Sequence, residues 1–300
     1  MEVYRQGSIT AAARALNLTQ PAVSQHIAGL EVAVGRPLFV RNAAGVVPTA
    51  AADELAADVG DKLDAAESAL ASARARSVDV AGALQIIGHA DFLAEVVCER
   101  LRDLLSVGVR IRMQAASQDL IESMLVEGHC DLGISAFATL DKRLRCELIW
   151  AENVMVVAPP SVAQRILAAP TLRQGLVAEP LLAYSLELPL IDQWLERNRL
   201  AGEPLQPAVI GQDLRALRSV LRSGFGWTAL PGYLCQPELD RGELVEIPAP
   251  HARGQLHYYL VWAPSALRTP RVAHARQAIL WALGQREGQA ATAPSPSRQA

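Results

Sequence analysis

Residues 8–35, SITAAARALNLTQPAVSQHIAGLEVAVG, predict two short helices joined by a tight turn. The first, rich in Ala, covers 9–16. The second begins after Thr19, whose side chain can cap it, and carries Pro21 in its first turn, where the missing N–H costs little. Gly35 supplies the left-handed residue that ends it. This spacing is typical of a helix-turn-helix.

The second helix of this pair has two different faces. Its periodicity predicts a buried face of Val23, Ile27, Leu30 and Val34 and an exposed face of Gln20, Ser24, Gln25 and Ala28. Amides and hydroxyls on a small, uncharged face suit a helix that enters the major groove and reads base edges. Residues 36–49 alternate loosely around a turn at Gly45, which predicts a two-stranded wing. On physical grounds alone, a plain structural pair of helices is the alternative to nucleic-acid binding.

Residues 49–76 predict one long helix, since they contain no Pro and only one Gly, Gly60. A helix of about 28 residues is about 42 Å long, too long to pack fully on so small a domain. Its apolar stripe is formed by Leu55, Val59, Leu63, Ala66, Leu70 and Ala73. We expect a second copy of the helix to cover this stripe, with Leu55, Val59, Leu63 and Leu70 as the dimerisation residues. The alternative is that the helix lies on its own C-terminal domain.

The N-terminal segment resembles the winged helix-turn-helix of LysR-type transcriptional regulators. The resemblance is carried by residues 8–13, 18–27, 30–31, 34–35, 37–41 and 48–49, and it continues to about residue 283. It implies an α plus α/β fold in three parts. These are a winged helix-turn-helix over 1–50 with a truncated first helix, a dimerising linker helix over 51–77, and a two-lobed effector domain of the periplasmic-binding-protein type over 83–283.

The same resemblance implies a sequence-specific regulator of transcription. Its partners would be double-stranded operator DNA, a small-molecule effector, RNA polymerase and further copies of the chain, as a homodimer or homotetramer. We expect DNA contacts from Thr19, Gln20, Pro21, Ser24, Gln25 and Arg41, with Arg41 on phosphate. A small-molecule-binding module without DNA binding is the first alternative. An enzyme is the second, although the chain lacks GxSxG, HExxH and paired Cys motifs and its six His are scattered.

Two departures from the family pattern qualify the resemblance. At the wing, Ala43, Ala44 and Gly45 stand where family members commonly have a basic residue, which weakens the expected phosphate anchoring. Residues 1–6 supply only the last turns of the usual first helix. We therefore expect the natural chain to begin upstream of Met1, in a segment with Leu and Phe at helical spacing.

Residues 83–283 alternate strand-like and helix-like segments. The first part predicts β-α-β-α-β with strands at 84–87, 109–113 and 131–135 and helices at 91–105 and 120–127, and the pattern repeats over 181–247. Apolar strands at 154–158 and 258–262 end at Pro159-Pro160 and Ala263-Pro264, where we expect the chain to cross between lobes. The first lobe would hold 83–158 and 264–283, and the second 161–262.

A ligand is expected at the carboxyl ends of the strands, between the lobes. The candidate effector residues are His89, Asp91, Phe92, Ser117, Ser135, Tyr184, Ser185 and Gln212. Asp91 would bind a cationic ligand, or would cap the helix that follows it. Ser117 would donate to the effector or cap its own helix, and Tyr184 would reach the cleft or pack in the core. These side chains favour a small polar metabolite without naming one.

Composition excludes several other classes of protein. With 51% hydrophobic and 20% charged residues, no apolar run of about 18 residues and no N-terminal signal pattern, the sequence predicts a cytoplasmic globular protein without membrane contact. Four Cys without metal-like spacing predict reduced, buried thiols, and no cofactor or metal is expected. The net charge of −3 gives no global sign of nucleic-acid binding, so that surface must be local. The tail, 284–300, is predicted to be disordered.

Overall fold

The computed structural model describes residues 1–16, 18–42, 45–75, 82–186 and 188–284. Its N-terminal unit is a winged helix-turn-helix followed by one long helix. The elements are α1 (Glu2–Gln6), α2 (Ile9–Leu16), α3 (Gln20–Val34), β1 (Phe39–Asn42), β2 (Gly45–Pro48) and α4 (Ala50–Ala75). The strands pair antiparallel with Arg41 opposite Val46. The predicted helix pair, wing and long helix are therefore confirmed. Ala43 and Ala44 at the wing, and the tail from 285 onward, lie outside the described residues.

Local hydrogen bonds fix α3 relative to the wing. The Thr19 hydroxyl accepts a backbone N–H in the first turn at 3.4 Å, and Gly35 ends the helix with φ 73°. Glu31, in the last turns of α3, accepts the backbone N–H groups of Leu38 at 2.7 Å and Phe39 at 3.1 Å. One carboxylate thus accepts two backbone amides and ties the end of α3 to the start of the wing.

The core of this unit gathers around the N-terminal half of α3. Its buried members are Val3, Ile9, Ala12, Ala13 and Val23. Leu30, which we expected on the buried face, is 42% exposed. The expectation was wrong because α1 is five residues long and packs on α2 and β2 rather than along α3.

The first lobe of the C-terminal domain follows the predicted alternation of strands and helices. Its elements are β3 (Gly82–Gly88), α5 (Ala90–Phe92), α6 (Arg102–Ser106), β4 (Val109–Ala115), α7 (Gln118–Val126) and β5 (Leu132–Ser135). β3 pairs parallel with both β4 and β5. The single α-helix expected over 91–105 is instead α5, a π-helical turn over Leu93–Val97, a 3-10 turn over Cys98–Arg100, and α6. The wider π turn accompanies the burial of both Val96 and Val97, which are neighbours in sequence.

The second lobe is reached through a long strand and left through another. The remaining elements are β6 (Arg145–Ala158), α8 (Pro160–Ala168), α9 (Leu172–Ala178), β7 (Leu181–Ala183), α10 (Pro189–Arg197), β8 (Pro207–Ile210), α11 (Leu214–Arg222), β9 (Thr228–Pro231), α12 (Gly232–Asp240), β10 (Val245–Glu246), β11 (Gly254–Trp262), a 3-10 helix (Pro264–Arg268) and α13 (Pro270–Gly284). β7 and β8 form a separate parallel pair. The helices α8, α9 and α12 were not part of the sequence pattern.

Strand pairing corrects the predicted crossings between the lobes. From Val154 onward β6 pairs with β9 and then with β10, so it already belongs to the second lobe. β11 pairs with β6 along its whole length, from Gly254 to Trp262, with an irregularity after Tyr258. Beyond that irregularity β11 also pairs with β5 of the first lobe. The crossings therefore lie inside β6 and β11 rather than at Pro159-Pro160 and Ala263-Pro264. Glu147, Glu152 and Asn153 interrupt the apolar run of β6, which is why the sequence pattern showed only its end.

The linker helix also contacts its own C-terminal domain. α4 lies against α13 and the 3-10 helix before it, as the alternative interpretation of its stripe required. Arg268 donates to the backbone oxygen of Ala15 at the end of α2 at 3.0 Å, and Lys142 lies 5.4 Å from the ring centre of Tyr4. Leu63 is nevertheless 48% exposed, so part of the stripe is uncovered. The side chain of Leu70 lies outside what the structure describes.

The thiols are less uniformly buried than expected. Cys130 and Cys235 are buried, whereas Cys146 is half-buried and Cys98 is exposed. Burial raises the pKa of the Cys235 thiol to about 12. Within the described ranges, no helix has the length and hydropathy needed to cross a membrane.

Candidate DNA-binding surface and interlobe cleft

The N-terminal half of α3 presents the predicted base-reading residues on an open surface. Thr19, Gln20, Pro21 and Gln25 are exposed and Ser24 is half-buried. Gln20 and Ser24 lie one turn apart on the same side of the helix, and Gln25 follows beside them. Their amide and hydroxyl groups can donate to and accept from base edges.

The wing adds a cation to this surface. Arg41 is exposed on β1, in a strand that Glu31 fixes relative to α3. Arg36, by contrast, donates to Glu54 at 3.1 Å, so a carboxylate already offsets its charge. The wing therefore carries an exposed guanidinium, and α3 carries exposed polar side chains.

In the cleft between the lobes, Asp91 connects the two lobes. Asp91 is 2% exposed and accepts a hydrogen bond from the hydroxyl of Tyr233, in α12, at 2.7 Å. It does not cap its helix, because the N-cap position is His89 and no side chain caps the first turn. The capping interpretation of Asp91 is therefore wrong, and its carboxylate faces the second lobe.

An aromatic cluster surrounds this carboxylate. The hydroxyls of Tyr233 and Tyr258 lie 2.8 Å apart. Phe92 stacks on Tyr258 with ring centres 3.7 Å apart and meets Tyr233 edge-on at 5.6 Å. Burial raises the pKa of both tyrosines well above the usual value, and the charge of Asp91 raises it further. Both phenols are therefore neutral and can donate hydrogen bonds.

His89 lies beside this cluster. Its side chain is buried, and its ring centre is 6.4 Å from that of Tyr258. Burial lowers the pKa of the imidazole, although the charge of Asp91 partly opposes that shift. Its Nε2 atom is buried without a hydrogen-bond partner. Burial thus favours the neutral imidazole, one nitrogen of which has no hydrogen-bond partner.

A second contact between the lobes comes from the π-helical turn over Leu93–Val97. Arg218, in α11, donates to Glu95 at 3.2 Å and to the backbone oxygen of Leu234 at 3.0 Å. Glu238 lies 4.0 Å from the same guanidinium. Asp91, in α5, and Glu95, in the π-helical turn after it, therefore each bind a side chain of the second lobe.

Tyr184 directly follows β7 in the second lobe and is half-buried. Burial raises its pKa, and the charges of Asp91 and Asp213 raise it further. Asp213 accepts two hydrogen bonds from Arg215, at 3.0 and 2.8 Å. These bonds lower the pKa of the Asp213 carboxyl.

The other candidate residues differ in what they can offer a ligand. Ser117 is exposed at the N-cap of α7, and its hydroxyl makes no cap hydrogen bond. Ser135 is fully buried, and its hydroxyl is occupied by Gln118 Oε1 at 2.5 Å and by the backbone of Phe137. Ser185 is half-buried and Gln212 is exposed at the loops that follow β7 and β8. Ser135 therefore braces two loops, whereas Ser117 has a free hydroxyl.

Sequence reasoning missed Tyr233, Tyr258, Glu95 and Arg218. Tyr233 follows β9 directly, so the strand-end rule that found Asp91 could also have found it. Tyr258 lies in the middle of a crossing strand, so a rule that considers only strand ends could not have found it. In the part of the chain that the structure describes, no group of three or more His, Cys, Asp or Glu could hold a metal ion.

Two family models match the chain and together cover nearly all of the described part. "Bacterial regulatory helix-turn-helix protein, lysR family" matches residues 1–53, and "LysR substrate binding domain" matches 77–283. The chain belongs to the LysR family of transcriptional regulators. This LysR-type regulator therefore combines a DNA-binding domain with an effector-binding domain, and it is a regulator rather than an enzyme.

Individual relatives agree with this assignment. The regulator is 33% identical over 285 residues to the HTH-type transcriptional regulator AbaB of Streptomyces antibioticus, covering 92% of this chain and 93% of that one. Its fold is similar to CrgA of Neisseria meningitidis, with a TM-score of 0.60, 18% identity, and 94% and 96% of the two chains covered. LysG of Corynebacterium glutamicum, solved with bound effector Arg, gives a TM-score of 0.54 at 23% identity and 95% coverage of both chains.

Proposed function

We propose that this regulator reads its operator through Gln20, Ser24 and Gln25, while Arg41 anchors the wing on phosphate. α3 enters the major groove with its capped N-terminal half, where amides and a hydroxyl meet base edges. Thr19 and Pro21 shape the first turn and lie beside the backbone of the DNA. The regulator acts in the cytoplasm as a homodimer or homotetramer assembled through α4, and it contacts RNA polymerase at the promoter.

The effector binds between the lobes, against His89, Asp91, Phe92, Ser117, Tyr184, Ser185 and Gln212, with Ser135 bracing the loops around it. The observation that supports this most strongly is the buried hydrogen bond between Asp91 and Tyr233, at 2.7 Å. It joins a first-lobe strand end to a second-lobe helix, so a ligand that contacts Asp91 changes how the lobes meet. α13 and the 3-10 helix before it, both in the first lobe, contact α4, and through this contact the cleft influences the DNA-binding unit.

A gel-shift series tests the DNA-reading part of this proposal. The probe is the duplex upstream of the regulator's own gene, and the competitor is a scrambled duplex of equal length. The triple variant Gln20→Ala, Ser24→Ala, Gln25→Ala is expected to lose the preference for the upstream duplex while it retains weak binding to both, because phosphate contacts remain. The control is Gln277→Ala, an exposed amide in α13. A triple variant with undiminished preference would contradict the assignment.

A further inference from the structure

Asp91 is a buried carboxylate whose charge is not paired directly with a cation of the described residues. It is 2% exposed, and in the described part of the chain its one side-chain hydrogen bond comes from the neutral hydroxyl of Tyr233. No Arg, Lys or His of those residues forms an ion pair with it. An ionised carboxylate offers about four acceptor positions, and its burial is unfavourable unless a charge or several donors compensate it.

The two arginines nearest the cleft are already committed to other carboxylates. Arg215 donates twice to Asp213, and Arg218 donates to Glu95 with Glu238 close by. Each guanidinium therefore forms its ion pair with another carboxylate. The charge of Asp91 still raises the pKa of Arg215, but Asp91 forms no ion pair of its own with a described residue. An anionic effector placed beside Asp91 would add a second negative charge to this region.

His89 gives an independent sign of an incomplete site. The residue is 8% exposed, and its buried Nε2 has no hydrogen-bond partner. Its ring lies edge-on to Tyr258, which belongs to the aromatic cluster around Asp91. A buried polar atom without a partner is rare in folded proteins, and a bound group is one way to satisfy it.

We propose that the effector of this regulator carries a protonated nitrogen group with several N–H donors, an ammonium or a guanidinium, which binds at Asp91 and His89. One such group can donate both to the free oxygen of Asp91 and to Nε2 of the neutral imidazole. The rings of Phe92, Tyr233 and Tyr258 provide aromatic surfaces that attract a cation. This inference rests on the proposed effector cleft and names the chemistry that the cleft selects.

Isothermal titration of the full-length protein tests the inference. Three probes are compared at matched ionic strength. Agmatine carries a guanidinium and an amine but no carboxylate, and putrescine carries amines alone. Succinate is an anion of similar length. At least one of the two cations is expected to saturate the wild type with one site per protomer, whereas succinate is not. If agmatine binds and putrescine does not, the group selected is the guanidinium.

Three variants assign the binding to the charge of Asp91. Asp91→Asn keeps the shape of the side chain and is expected to weaken the cation at least about tenfold. Asp103→Asn removes the same charge from an exposed position of α6 in the same lobe, and the affinity should not change. Tyr233→Phe removes the hydroxyl that donates a hydrogen bond to Asp91, and cation binding should persist.

Several results would overturn the inference. These are no binding of either cation at millimolar concentration, binding of succinate alone, equal cation affinity in wild type and Asp91→Asn, and equal loss in Tyr233→Phe and Asp91→Asn. The last result would mean that the packing of the cleft, and not its charge, decides binding. A gel shift on the same preparations distinguishes failure of this inference from failure of the proposed function. Specific DNA binding by the wild type depends on α3 and not on the identity of the effector.

Discussion

Two residues of the DNA-binding unit are expected to contribute different kinds of binding energy. In the proposed DNA complex Gln25 meets base edges, so Gln25→Ala should relax specificity at one base pair at a cost of ~1–3 kcal/mol. Arg41 meets phosphate in the same proposal, so Arg41→Ala should weaken binding to all sequences alike and flatten the dependence of log K on log salt by about one unit. Gel-shift titrations at several salt concentrations measure both effects. Full discrimination in Gln25→Ala would contradict its assignment to a base.

A third residue, His89, is expected to make the free energy of unfolding depend on pH. Burial lowers the pKa of its imidazole below the usual 6.5, so the unfolded chain takes up a proton before the folded chain does. The free energy of unfolding is therefore not reduced by His89 above about pH 6.5. It decreases as the pH falls from there toward the lowered pKa. His89→Gln should therefore flatten the loss of stability between about pH 7 and pH 5.

Urea unfolding followed by tryptophan emission measures this effect, because all five Trp lie beyond residue 149, in the effector domain. His129→Gln is the matched control, since His129 is exposed at the end of α7. An unchanged pH profile in His89→Gln, or the same flattening in both variants, would show that His89 titrates as it does in the unfolded chain.

At the scale of elements, the linker helix α4 is expected to form the dimer by pairing with a second copy of itself. Leu63 is 48% exposed although α4 packs on α13, which leaves room for a second copy of the helix. Leu63→Asp combined with Leu70→Asp would place unpaired charges between the two copies and should dissociate the dimer. Sedimentation at low micromolar concentration measures the change.

The matched control for this variant is Leu140→Asp combined with Leu167→Asp, since both leucines are exposed in the effector domain. The control is expected to sediment as the wild type does. If the Leu63 and Leu70 variant also stays dimeric, the stripe serves only the contact between α4 and the effector domain of its own chain.

The elements that sequence reasoning found are those that local chemistry determines. Thr19 and Gly35 mark both ends of α3, and these caps act within a few residues. The crossing strands could not be placed in this way, because the pairing of Val154 with Pro231 joins segments that are distant in sequence. The exposure of Leu30 likewise depends on which other elements reach it.

The candidate site was predictable to a similar degree. Asp91 and His89 follow a strand end and were found by that rule, but the role of Asp91 depends on Tyr233 of the other lobe. Ser135 occupies a strand end too, yet its hydroxyl is used inside the protein. Position along a strand therefore indicates which loops line a cleft, whereas hydrogen-bond partners decide which side chains are available to a ligand.

At the scale of the whole molecule, tryptophan emission should report closure of the lobes. Trp150 lies in β6 opposite Tyr258 of β11, is 6% exposed, and meets Phe92 edge-on at 6.0 Å. A cleft ligand should change its emission, whereas operator DNA alone should change it little. Trp150→Phe should abolish the ligand signal and Trp281→Phe, at a 64% exposed position, should not. A ligand signal that survives Trp150→Phe would place the change elsewhere.

Any ligand that gives this signal should also change operator affinity, because coupling between two sites is reciprocal. The factor by which the ligand changes the operator Kd must equal the factor by which the operator changes the ligand Kd. Unequal factors at equilibrium would mean that the emission reports a site that is not coupled to DNA binding.

The central claim is that this LysR-type regulator recognises one DNA sequence through α3, and an anisotropy titration tests it most directly. The full-length protein is titrated into the duplex upstream of its own gene and into a scrambled duplex of equal length and composition, at one fixed salt concentration. The account predicts that the upstream duplex binds at least ~10³-fold more tightly and that Gln25→Ala reduces this ratio. Equal affinity for the two duplexes, unchanged by Gln25→Ala, would contradict it.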